Sequence, residues 1–192
     1  MTYLILGLLV FLGVHSLRIV ANGWRTRARD QLGAIGWKAL FSLISLLGLG
    51  LMVWGFGLVR DQPIALWNPP NGMRHLASLL NLPAFVLLAA TYVPGNTIKT
   101  RVRHPMVLAV AVWALAHLLT NGNLGHVVLF GTFLVWAILS FRAARQGDRA
   151  AVVNYPGGTA GATGVTVAIG VGSWIVFTLW LHGILIGVRP FG

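Results

Sequence analysis

Six apolar runs, at 3–21, 37–58, 75–93, 105–120, 124–141 and 166–187, fill most of this chain and leave only short connections between them. A helix needs about 20 residues to cross the hydrocarbon core of a bilayer. Within that core every backbone N–H and C=O must be satisfied by the protein, so only helices and closed barrels span it. None of the runs alternates in the way a barrel strand does. The expected fold is therefore all-α: one polytopic membrane helical bundle of about six transmembrane helices over residues 1–192. Composition points the same way, with 9% charged and 57% hydrophobic residues, against roughly 25% charged in soluble domains. The fourth run is short. It meets the fifth through Thr120-Asn121-Gly122-Asn123-Leu124-Gly125, a polar turn that makes the pair a helical hairpin.

The net charge of +11 raises the question of nucleic acid, but the basic residues form no single patch. The 18–38, 94–104 and 142–164 connections hold eleven of the 14 Lys and Arg residues. Lys and Arg gather in cytoplasmic loops, so these three connections read as cytoplasmic and both termini as external. The expected surroundings are membrane lipids, with no nucleic-acid partner. The start, Met-Thr-Tyr followed by apolar residues, has no basic leader region and reads as a retained first span. Trp67-Asn68-Pro69-Pro70 is expected as a rigid external loop and 154–164 as a flexible linker. Gly48, Gly50, Gly55 and Gly57, and the Gly183/Gly187 step, are expected to serve close helix packing within the chain.

Imidazole is the versatile chemical group in this sequence. There is no cysteine, and the three acids are all aspartates. Absence of Cys excludes thiolate metal sites and covalent c-type haem attachment. Asp30, Asp61 and Asp148 are expected in loops, away from the histidines. An ionisable group at membrane depth is costly and usually faces a protein interior. His15 shares a helix face with Leu8, Phe11, Leu12, Arg18 and Ile19. An imidazole one turn from an arginine suits an anionic ligand such as haem, and equally suits a hydrogen bond to a neighbouring helix. His117 shares its face with Met106, Val110, Trp113, Thr120 and Asn121. That stripe suits a planar macrocycle and equally suits core packing. His104, in Arg103-His104-Pro105, marks the start of the fourth span. It either meets a cofactor carboxylate or caps the helix beside lipid phosphates. It lies about 20 Å along the helix from His117, so the two cannot share a metal. His75 and His126 are expected at the interface, and His182 is a third, weaker ligand candidate. Zinc wants four protein or water ligands, whereas a haem iron needs only two axial imidazoles.

Arg103-His104-Pro105-Met106, followed by Trp113-Ala114-Leu115-Ala116-His117-Leu118-Leu119-Thr120-Asn121-Gly122, resembles the core motif of the NnrU proteins. So do Gly13-Val14-His15-Ser16-Leu17-Arg18, the Tyr92-Val93-Pro94-Gly95 turn and Leu181-His182-Gly183-Ile184-Leu185-Ile186-Gly187-Val188. The resemblance runs end to end. It implies a bacterial inner-membrane protein associated with denitrification and nitric oxide metabolism. The family also contains 15-cis-zeta-carotene isomerase, a haem b membrane enzyme whose axial histidines fall in segments matching His15 and His117. The resemblance thus implies haem b with His15 and His117 as iron ligands. For such a haem, Arg18, Arg103 and His104 are expected to meet the propionates on the cytoplasmic side, and Trp113, on the His117 stripe, to lie against the cofactor. Redox and isomerase-like activities, with a small apolar substrate or a respiratory complex as partner, both remain open. The isomerase branch has a cysteine three residues before its second histidine, where this chain has Ala114, so carotene isomerisation itself does not carry over. By rise alone, His15 lies about 9 Å and His117 about 18 Å from the cytoplasmic boundary, an uneven pair for one iron.

A more distant similarity links Arg103-His104-Pro105 to the isoprenylcysteine and phospholipid methyltransferases, which place Arg-His-Pro at the start of a membrane helix. Their site is completed by glutamates, which this chain lacks. A methyltransferase-like enzyme and a non-catalytic partner of a respiratory complex are the alternative readings.

Overall fold

A computed structural model describes residues 1–70 and 72–191. Its helices are α1 (Thr2–Val20), α2 (Asn22–Asp61), α3 (Met73–Tyr92), α4 (Thr97–Val102), α5 (Pro105–Thr120), α6 (Leu124–Ala150), α7 (Ala160–Val176) and α8 (His182–Ile186). A π turn, Phe177–Leu181, joins the last two into one rod. The chain is an all-α membrane bundle. Five of the rods are long and apolar enough to cross a bilayer. The sixth expected span is α5, with 16 residues, or about 24 Å of rise against a core of about 30 Å.

Side by side, the helices run in the order α2, α1, α6, α5, α3, α7. One end of the bundle carries both chain termini, and the other carries the three basic connections. They are called here the terminal end and the basic end. The α1–α2 crossing is close because glycines remove side chains where the backbones meet. A Cβ on Gly55 would lie 2.2 Å from Leu4 N, and one on Gly7 would lie 2.3 Å from Met52 N. Gly48 faces Phe11 in the same way, so Gly48 and Gly55 serve internal packing as the sequence suggested, whereas a Cβ on Gly50 or Gly57 would meet nothing within 4 Å. The Gly183/Gly187 step does not. Gly187 ends α8 at φ 77°, and Gly183 underlies the Arg189 side chain. Leu4, Leu8 and Leu12 of α1 meet Met52, Ala114, Leu129, Phe130 and Phe133 in a core shared by α1, α2, α5 and α6. Large apolar side chains elsewhere face outward, for example Leu43, Leu46, Ile184 and Leu185, as lipid-facing residues should.

Two connections differ from expectation. The 18–38 connection is mostly helix, because α2 begins at Asn22 and breaks only at Gly33, with φ 71° and ψ 167°. The Arg and Ala residues there favour helix, and only glycine takes that backbone conformation without cost. The 154–164 segment is pinned rather than free. Thr159 N donates to Gly95 O at 2.9 Å, and Gly158 packs directly on the Asn96–Thr97 backbone. The buried Asn96 holds that corner by donating from Nδ2 to Ala90 O and accepting at Oδ1 from Lys99 N. At the terminal end, Leu66 N and Trp67 N both donate to Gly122 O, which ties the loop after α2 to the α5–α6 turn.

Candidate functional site

His15 sits on α1 inside a ring of aromatics. Phe11 stacks on it at 4.3 Å between centroids, and Phe41 and Trp136 meet it edge-on at 5.0 and 6.3 Å. Its Nδ1 lies 2.7 Å from the Phe11 carbonyl oxygen. A carbonyl can only accept, so Nδ1 donates here, which in the uncharged tautomer leaves the Nε2 lone pair available. His117 repeats this arrangement one span over. Its Nδ1 donates to Trp113 O at 2.8 Å, and Trp113 and Phe130 flank the ring at 5.3 and 4.6 Å. Metal-bound histidines are oriented in this manner, with the second nitrogen held by a carbonyl or carboxylate.

The two histidines do not meet. His15 lies against Trp136 and His117 against Phe130. These partners are six residues apart on α6, about 9 Å of rise. Between the two levels, Phe133 contacts Phe11 at 6.0 Å and Trp113 at 5.5 Å. The unequal depth read from the sequence is therefore present in the fold, with a packed aromatic layer in between. Each imidazole has the donor chemistry of a haem ligand, but they do not stand as a facing pair.

The imidazole beside His117 is that of His182, with centroids 6.5 Å apart and planes inclined by 23°. His182 Nδ1 donates to Val188 O at 2.6 Å, so its Nε2 is free as well. His126 also stacks with Phe130, at 6.1 Å. With Arg60, Phe56 and Asn123 it lines a cavity of about 130 Å³, room for a few waters and not for a macrocycle. The terminal end thus collects His117, His126, His182 and Arg60, with His75 stacked on Phe191 at 5.8 Å at the same end. Among the described residues no cluster of three or more His, Cys, Asp or Glu side chains is placed to hold a bare metal ion.

The basic end carries a separate polar network. His104 Nε2 lies 2.8 Å from Asp148 Oδ2, and the Tyr155 hydroxyl donates to the same oxygen at 3.0 Å. The Arg103 guanidinium stands 5.3 Å from the Tyr155 ring centre. Two expectations are corrected here. Asp148 is not a loop residue remote from histidine: it lies in the last turn of α6 and pairs with His104. His104 precedes α5 without making a side-chain cap bond. Asp30 and Asp61 also lie on a helix, α2. Arg103 and His104 are thus engaged with Tyr155 and Asp148, while Arg18 ends α1 at the same face. Burial raises the Tyr155 phenol above its ordinary range, and the hydrogen bond to Asp148 and its negative charge raise it further, partly opposed by Arg103 and Arg145.

Sequence reasoning passed over Arg60, Arg189, Asp148 and Tyr155. One signal was available for the arginines, since Arg60 and Arg189 lie on the side where the topology rule disfavours them. No such signal existed for Asp148 and Tyr155, whose partner lies more than forty residues away.

A family model described as NnrU protein matches residues 3–190. No curated protein matches the chain, and no solved structure does.

Proposed function

The chain belongs to the NnrU family, and from that premise we propose that it is a haem b-binding protein of the bacterial inner membrane, linked to denitrification and nitric oxide metabolism. The observation that carries this reading is the state of the imidazoles. His15, His117 and His182 each commit Nδ1 to a main-chain carbonyl and leave Nε2 free within an apolar bundle. Two such nitrogens are too few for zinc. They suffice for an iron whose other four ligands come from a porphyrin.

His117 is the ligand on which the resemblance and this geometry agree, and the resemblance names His15 as the second. Trp113 and Phe130 give His117 apolar, flat neighbours. The carbonyl of Trp113 fixes the ring orientation and makes Nε2 a better donor. Bound haem would supply a redox-active, electrophilic iron for a small nitrogen oxide or an apolar substrate. The basic end is assigned to the cytoplasm and both termini to the periplasm by the positive-inside rule.

The deciding measurement is the visible spectrum of the purified protein with a pyridine haemochrome assay. A Soret band and a b-type haemochrome are expected. A colourless protein that takes up no supplied haem would overturn the reading. A second reading, a methyltransferase-like site, rests on the pairing of His104 with Asp148 beside Arg103. It requires S-adenosylmethionine to bind in titration calorimetry, with the affinity lost in Asp148→Asn.

A further inference from the structure

We infer that residues 22–32, the first part of α2, form a helix that lies along the membrane surface at the basic end and holds anionic phospholipid headgroups with Arg25, Arg27 and Arg29, a role that does not depend on haem.

Two breaks set this segment apart. At Ala21 the backbone leaves the helical region, with φ −142° and ψ 43°, and at Gly33 it takes φ 71° and ψ 167°. Antiparallel helices that pack side by side need a connection of only about 2–5 residues. The α1 helix and the spanning part of α2 pack closely, yet the helix 22–32 is inserted between them. It does not continue the line of the span. In a straight helix Trp24 and Trp37 would be about 20 Å apart, whereas their ring centroids are 6.3 Å apart. The segment therefore folds back until Trp24 reaches the level of Trp37, where the span begins. Tryptophan at this level is a common anchor at a membrane–water boundary.

The segment is amphipathic with a helical repeat. At 100° per residue, Trp24, Ala28 and Leu32 fall on one face. Arg25 and Arg29 border that face on one side. Arg27 borders it on the other, beyond Gln31, while Asn22, Thr26 and Asp30 lie opposite. No residue from 22 to 35 is buried, and Trp24 and Leu32 are 52% and 49% exposed, so no other helix covers the apolar face. Continuity with a span on each side holds it at the bilayer surface, where the boundary of headgroups and acyl chains covers such a face.

Charge identifies the lipid. Among the described residues the one ion pair is His104–Asp148. The three guanidinium groups therefore have no carboxylate partner, although Asp30 lies one turn from Arg27. Arginine stems run along the edge of an apolar face and carry the charged heads to phosphate level, where a guanidinium pairs with two phosphate oxygens. A zwitterionic headgroup neutralises its own phosphate, whereas an anionic one keeps a net negative charge that each nearby arginine reinforces.

The test uses the full chain in phosphatidylethanolamine vesicles that contain phosphatidylglycerol or phosphatidylcholine. The chain has no cysteine, so Leu32→Cys accepts a single NBD fluorophore on the apolar face, and Thr26→Cys accepts one on the polar face. The quencher is the minor lipid, carrying a nitroxide near the top of its acyl chain. Labelled phosphatidylglycerol should quench the Leu32→Cys probe about twofold more than equally labelled phosphatidylcholine. The Thr26→Cys probe should be quenched far less by either. Replacing Arg25, Arg27 and Arg29 together by Gln should make the two lipids equal. None of these side chains is buried, and circular dichroism checks that the helices persist in that variant. Equal quenching by the two lipids in the chain with all three arginines would overturn the inference. A Leu32→Cys probe that neither lipid quenches would overturn it too, as for an arm in water or one covered by a second copy of the chain. So would a preference for phosphatidylglycerol that survives the triple substitution.

Discussion

Asp148 Oδ2 lies 2.8 Å from His104 Nε2, and this contact fastens the residue before α5 to the last turn of α6. The α5–α6 hairpin is thereby closed at its open end, while the 120–125 turn closes the other. The same oxygen receives the Tyr155 hydroxyl, which draws the segment after α6 back against the hairpin.

The basic-end network should reveal itself in alkali. The folded phenol of Tyr155 titrates above its ordinary range, first through burial and then through Asp148. The neutral phenol is the form that the fold favours. Its contribution is therefore complete below about pH 10 and is lost as pH rises through the folded value. Thermal melts of wild type and Tyr155→Phe should differ by a constant amount up to that pH and converge above it. A difference that grows with alkalinity would contradict this.

Gly55 and Gly57 lie on the same helix and predict opposite outcomes. A Cβ on Gly55 meets the Leu4 backbone at 2.2 Å, whereas one on Gly57 meets nothing within 4 Å. Gly55→Ala should cost about 1–3 kcal/mol by forcing α1 and α2 apart. Gly57→Ala should be neutral or slightly stabilising, since alanine is the better helix former by roughly 0.5–1 kcal/mol. Unfolding in detergent compares the two directly.

Asn96 is fully buried, and its side chain serves Ala90 O and Lys99 N. Asn96→Ala leaves those main-chain groups unpaired and should destabilise by about 2–3 kcal/mol. The 95–97 corner should then open to limited proteolysis while the spans stay protected. Unchanged protease resistance would count against this role.

His104 and His117 should separate cleanly in haem-loaded protein. His104→Ala breaks the tie to Asp148 and should lower the melting temperature while the iron spectrum stays as in wild type. His117→Ala should abolish the low-spin spectrum with the fold largely kept. The two sites are about 20 Å apart along α5. A reversed result would move the candidate site to the basic end.

The order and placement of the spans were legible in the sequence, because membrane insertion answers to local hydropathy and to charge next to each segment. The 105–120 and 124–141 runs became α5 and the apolar part of α6 with no help from distant residues. That α2 carries packing glycines was readable for a related reason, a missing side chain being informative wherever apolar helices must touch, but that Gly48 and Gly55 rather than Gly50 and Gly57 meet α1 was not. Which histidines face each other was not legible. Helical periodicity assigns a residue to a face of its own helix and says nothing about the neighbour opposite that face. His117 meets His182 although α3 lies between α5 and α7, and a π turn and a left-handed glycine flank His182 along the chain. Asp148 was likewise an unremarkable charge until α6 ran past the apolar zone and brought it to His104. Local chemistry thus determined the spans and the supply of imidazoles, and tertiary packing decided how those imidazoles are paired.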